Sequence, residues 1–134
     1  MKEAEVYSEL CGENLMVKIC GEIDHHSAGK IRQMIDRDVF FYRAPKVILD
    51  LSGIDFMDSS GLGLILGRYT KIKDMGSVLI IKDPTAEIMK ILRLSGVDKF
   101  IKIQEKKTVG GVLKVKNITY KERQESDNEK KSSE

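Results

Sequence analysis

The chain has 134 residues, of which 33% are charged and 41% hydrophobic, and its net charge is +2. That length suits one domain with a modest core, and the balanced charge argues against nucleic acid or a charged membrane surface as a partner. No apolar run approaches the roughly 18 residues of a membrane span, and the opening Met-Lys-Glu-Ala-Glu lacks the apolar core of a secretion signal, so a cytoplasmic protein is expected.

Glu5 to Leu10 and Leu15 to Cys20 are strand-like runs around Cys11-Gly12-Glu13-Asn14, which predicts a hairpin. Cys11 and Cys20 fall on these neighbouring strands and are expected to be reduced thiols, although the pairing leaves room for them to face each other. Asp24 then offers an N-cap. Ala28, Ile31, Met34, Ile35, Val39 and Tyr42 recur at spacings of three and four, which predicts an amphipathic helix over 25–42. Ala44-Pro45 ends it, because the residue before proline disfavours helix. Val47 to Leu51 reads as a buried strand, followed by a polar turn.

Ser59 to about Met75 reads as a second helix closed by Gly76. Val78 to Ile81 is another apolar strand. Pro84 fits the first turn of a third helix, with Ile88, Ile91, Leu92 and Leu94 on its inner face and Gly96 at its end. Phe100 to Ile103 reads as a last short strand. Residues 105–116 stay ambiguous: Val109, Val112, Leu113 and Val115 suggest a helix on the body, but Gly110-Gly111 weaken it by about 1 kcal/mol per glycine relative to alanine. From Lys121 the chain carries four basic and five acidic residues, leaving a body of +3. Residues 117–134 have too little apolar surface to offset ordering entropy and are expected to form a mobile tail.

Strands alternating with helices after a hairpin predict an α/β fold, a small mixed β-sheet with flanking helices, as a single domain over 1–116. If Leu15–Cys20 and Val47–Leu51 are parallel neighbours, the following helices both start beyond the carboxyl ends of their strands, where binding sites commonly form. Asp24 and Ser59 then share one edge.

The most informative stretch is Val47 to Tyr69. Asp58, Ser59 and Ser60 stand where an apolar helix should begin. Helix N-termini present free N–H groups and a positive dipole end, so they favour a cap or an anion. Ser59 therefore suits either a plain cap or a phosphate, and Asp58 and Asp24 suit either caps or contacts to a basic partner. Gly61-Leu-Gly63-Leu-Ile-Leu-Gly67 misses the dinucleotide spacing by one residue; its glycines are expected to serve a tight turn and close packing. The Leu62, Leu64, Ile65 and Leu66 cluster is mainly core, with one side chain free to face a partner. His25 and His26 are the two histidines of the chain and make a poor zinc set; rim contacts or plain exposure fit better. No nucleophile–base–oxyanion set emerges.

Asp58-Ser59-Ser60-Gly61-Leu62-Gly63 with Leu66-Gly67-Arg68-Tyr69, together with Gly21-Glu-Ile-Asp-His-His-Ser-Ala28, resembles the signature of STAS-domain anti-sigma factor antagonists over roughly residues 4–104. The His-His pair looks like the sporulation branch. The resemblance implies a binding protein, not an enzyme, with no cofactor. Its unphosphorylated form would bind an anti-sigma factor that is also a serine kinase and so release a sigma factor, sigma-F in that branch. Phosphorylation of Ser59 would switch binding off and a serine phosphatase would reset it. Asp24, His25, Asp58, Ser60, Gly61 and Leu62 are the expected partner contacts. The alternatives are a general-stress antagonist, a nucleotide-binding enzyme and a scaffolding STAS module.

Overall fold

The computed structural model describes residues 3–109 and 112–114. Two strands come first, β1 (Glu5–Cys11) and β2 (Asn14–Ile23), followed by helix α1 (Ala28–Tyr42), strand β3 (Lys46–Met57) and helix α2 (Ser59–Asp74). Strand β4 (Val78–Lys82), helix α3 (Ala86–Ser95), a 3-10 turn at Val97–Lys99 and strand β5 (Lys102–Gln104) complete the body. Strands β6 (Lys107–Val109) and β7 (Val112–Lys114) form a separate antiparallel pair. This pair replaces the helix entertained over 105–116. Gly110-Gly111 is a poor helix interior and a strong hairpin signal, and it outweighs the apolar spacing there. The proposed tail, 117–134, lies outside the described residues.

The main sheet runs β1-β2-β3-β4-β5, antiparallel between β1 and β2 and parallel thereafter. Each crossover steps one strand in the same direction, and right-handed crossovers then place every helix on one face. The core agrees: Ile31, Ile35 and Val39 of α1, Leu64, Ile65 and Ile72 of α2, and Ile88 and Leu92 of α3 join one cluster with Leu15, Val17, Ile19, Val47, Leu49, Leu79 and Ile81. Lys18, Asp50 and Lys82 lie in one row across the opposite face. The hairpin forms as expected, with Gly12 at φ +66 in its two-residue turn. It separates the cysteines, since Cys11 pairs with Asn14 while Cys20 pairs with Glu5, and both thiols are free.

Strand β3 is much longer than Val47–Leu51, and the polar turn expected after it is strand. The register against β2 slips between Lys18 and Cys20 and again between Gly21 and Glu22. At each slip β3 carries an extra residue, so Leu51, Ile54 and Met57 are buried at intervals of three rather than two. A bulge breaks the period that identifies a strand in sequence. Gly53 fits the crowded pairing, because a Cβ there would meet Cys20 Sγ at 2.5 Å.

Two helix ends also differ from expectation. Pro84 precedes the N-cap of α3 instead of sitting in its first turn, and Thr85 is the cap, its Oγ1 accepting from Ile88 N at 3.3 Å. Leu94 is 82% exposed while Met89 is buried. Leu94 follows buried Leu92 by two residues, a rotation of about 200° that carries it to the far side of a helix.

Candidate functional site

Strands β2 and β3 end side by side, with Ile23 opposite Met57. Asp58 N donates to Ile23 O at 3.2 Å, which ties the two strand ends together and brings the residue after Ile23, Asp24, beside the start of α2. The shared edge anticipated for Asp24 and Ser59 is therefore formed by backbone pairing.

Asp24 does not cap α1. Its Oδ1 accepts from His26 N at 2.8 Å and Ser27 N at 3.0 Å, closing a turn that occupies 24–27, and the helix begins only at Ala28. Ser27 is the N-cap residue but makes no capping bond. Its hydroxyl instead donates to Glu22 O at 3.0 Å and accepts from Asp24 N at 3.1 Å, which binds the turn back onto β2. The two backbone N–H donors hold the Asp24 carboxyl below the usual carboxylate range. His25 and His26 are exposed in this turn rather than on the helix, their ring centroids 3.9 Å apart. His26 Nδ1 lies 3.8 Å from Asp24 Oδ1.

At the start of α2, Asp58 is the N-cap and its Oδ1 accepts from Ser60 N at 2.8 Å. Ser59 is thus relieved of capping. It is the first helical residue, it is exposed, and among the described residues its hydroxyl has no hydrogen bond. Ser60 and Leu62 are half-buried. Gly61 is buried, and a Cβ there would collide with the Met57 side chain and touch Ile23 Cγ2 at 3.2 Å. Close packing therefore belongs to Gly61; added Cβ atoms at Gly63 and Gly67 would meet nothing within 4 Å. The edge consequently presents an ordered carboxylate, an exposed histidine pair and one serine hydroxyl at a helix N-terminus, a set suited to recognising a basic surface and accepting a phosphate.

Arg68 gained no individual role in the sequence reading. It is buried in α2, with Nε 2.8 Å from Asp36 Oδ1 on α1. Nε lies outside hydrogen-bond alignment despite that distance, and Nη1 is buried with no hydrogen-bond partner among the described residues. Burial pushes the guanidinium pKa down and the Asp36 carboxylate opposes the shift. The available signal was one charge in the apolar stripe Leu64, Ile65, Arg68, Ile72.

Among the described residues no helix is long and apolar enough to cross a membrane. The STAS domain model matches residues 2–109. An anti-sigma F factor antagonist of Paenibacillus polymyxa is 35% identical over 91 residues, covering 68% of this chain and 78% of that protein. The unphosphorylated form of the anti-sigma factor antagonist SpoIIAA is similar at 27% identity and a TM-score of 0.64, over 74% of this chain and 87% of that one. The phosphorylated form of the Bacillus cell fate determinant SpoIIAA is similar at 28% identity and a TM-score of 0.60, over 74% of this chain and 90% of that one. The chain belongs to the STAS domain family, the family of the anti-sigma factor antagonists it resembles.

Proposed function

We propose that this protein is an anti-sigma factor antagonist, a regulatory binding protein whose switch is phosphorylation of Ser59. The unphosphorylated protein binds a cytoplasmic anti-sigma factor that is also a serine kinase, and this frees the sigma factor. The kinase then modifies Ser59, the complex separates, and a serine phosphatase restores the binding form. The 35% identity to an anti-sigma F factor antagonist favours sigma-F as the regulated factor.

One observation carries the reading: Ser59 is the exposed first residue of α2, and Asp58 has taken over its capping duty. A phosphate adds about −1.5 to −2 charge and three acceptor oxygens. At a helix start the dipole and free N–H groups accommodate it, so the fold survives. Inside a protein interface the same group must be desolvated, and a loss of about 1.4 kcal/mol weakens binding tenfold. Asp24 and Asp58 flank the serine and supply the carboxylates that a basic kinase surface would meet.

Incubating the purified protein with an anti-sigma F kinase and ATP, followed by intact mass and site mapping, tests this. One phosphate on Ser59 is expected, with loss of kinase binding. Ser59→Ala should remain folded, resist modification and still bind, whereas Ser60→Ala should be modified normally. Efficient phosphorylation of Ser59→Ala at Ser60 would refute the assignment. An anti-sigma B kinase run in parallel distinguishes the sporulation branch from the general-stress branch.

A further inference from the structure

Beside the Asp24 turn a groove of about 650 Å³ runs between the start of β1 and the first turns of α1. One wall is five consecutive residues, Glu3 to Tyr7. Three of them, Glu5 to Tyr7, belong to β1, and because strand side chains alternate between faces, their joint presence places the groove along the strand's edge. Strand β1 is the outermost strand of the described sheet, and an outermost strand offers outward N–H and C=O groups to a new strand. The other wall is one face of α1, with Ser27, Lys30, Ile31 and Met34 at spacings of three and four. Gly21, at φ +98, makes the near end possible: Glu3 and Ala4 pass directly over it, and a Cβ at position 21 would run into the Glu3 carbonyl oxygen.

The lining chemistry selects the occupant. Glu3, Glu22 and Asp24 line the groove with one lysine, Lys30, and with the apolar Val6, Ile31 and Met34, while the Glu5 carboxylate accepts from Tyr7 Oη at 2.7 Å. Strand β1 itself has neither the lysine nor the proline that commonly blunts an open edge. Its charges are Glu5 and Glu9, so β1 of a second copy would bring like charges together, whereas a basic segment would be attracted.

We infer that this groove takes an extended segment of the kinase proposed above, paired to the outer edge of β1. Apolar side chains of that segment pack on Ile31 and Met34, and its basic side chains meet the carboxylates. The inference rests on the proposed partner and enlarges its footprint, because Asp24 belongs both to the groove and to the edge that holds Ser59.

Hydrogen exchange of the full chain, free and bound to the anti-sigma kinase, separates the two ideas. Peptides covering 57–62 should be protected by the proposed interface, and those covering 3–9 and 30–34 by strand addition, with exchange slowed at least about tenfold. Protection at 57–62 without protection at 3–9 overturns the groove while leaving the switch intact. No protection anywhere overturns both. As an independent measure, Glu3→Lys and Met34→Lys should each weaken kinase binding by about tenfold, while the same charge introduced at the hairpin tip, Glu13→Lys, leaves it unchanged. Equal affinity of all three variants, with native circular dichroism, also overturns the groove.

Discussion

Asp24 shows how one side chain holds both a local fold and a surface charge. Its carboxylate is ordered by two backbone donors while its turn remains at the surface. Replacement by Asn keeps the shape and an accepting oxygen, so folding should change little while kinase affinity falls roughly tenfold, the scale of losing one hydrogen bond to a charged group. Titration calorimetry reads this directly, and unchanged affinity would confine Asp24 to turn formation. Replacement by Ala also removes the turn bonds. The folded pKa of Asp24 lies below its ordinary value of about 3.9. Its contribution to stability is therefore full above that value and is lost as pH falls through the depressed folded pKa. The Tm deficit of Asp24→Ala should be constant from about pH 7 to pH 5 and shrink in stronger acid. A deficit that grows on acidification would contradict the assignment.

At the scale of elements, α2 carries two kinds of glycine with opposite expected behaviour. Gly61 is packed against Met57 and Ile23, so Gly61→Ala should destabilise by about 1–3 kcal/mol through overpacking. Gly63 is exposed and clear of neighbours, so Gly63→Ala should stabilise by about 0.5–1 kcal/mol through helix propensity. Urea titrations of both variants check the pair, and equal signs would refute the packing account. The contact between α1 and α2 includes the pair Asp36 and Arg68. The Asp36→Asn variant strands the Arg68 charge in a site that is 93% buried for its side chain, and it should cost about 3 kcal/mol. Arg68→Met removes the charge along with its partner's attraction and should cost clearly less, since Asp36 is partly exposed and Lys71 Nζ remains 3.8 Å away. A larger loss for Arg68→Met than for Asp36→Asn in chemical denaturation would show that the ion pair itself, and not the buried charge, governs this interface.

For the molecule as a whole, the sheet places the proposed switch at one edge, and residues 121–134 lie outside the motifs that form it. Deleting 121–134 should leave both Tm and kinase affinity nearly unchanged, because the segment is rich in charge and poor in apolar residues. A large fall in either quantity would show that it docks. The sequence by itself determined the α/β alternation, the hairpin and the three helices, and it narrowed the cap of α2 to Asp58 or Ser59. Those features rest on local rules: spacing of apolar residues, glycine at positive φ, and side chains that satisfy free N–H groups at helix starts. Its anticipation of a shared edge needed only the assumption that β2 and β3 run parallel. What escaped it was set by neighbours distant in sequence. The continuation of β3 through Ser52 to Met57 depends on pairing with β2 across two slips, and the slips erase the period that local reading uses. Asp24 became a turn former because Ser27 is tied to Glu22, and Arg68 became buried because α1 brings Asp36 against it. The groove at β1 exists because the N-terminal segment crosses Gly21 and faces α1, two elements whose meeting is decided by the register of the sheet.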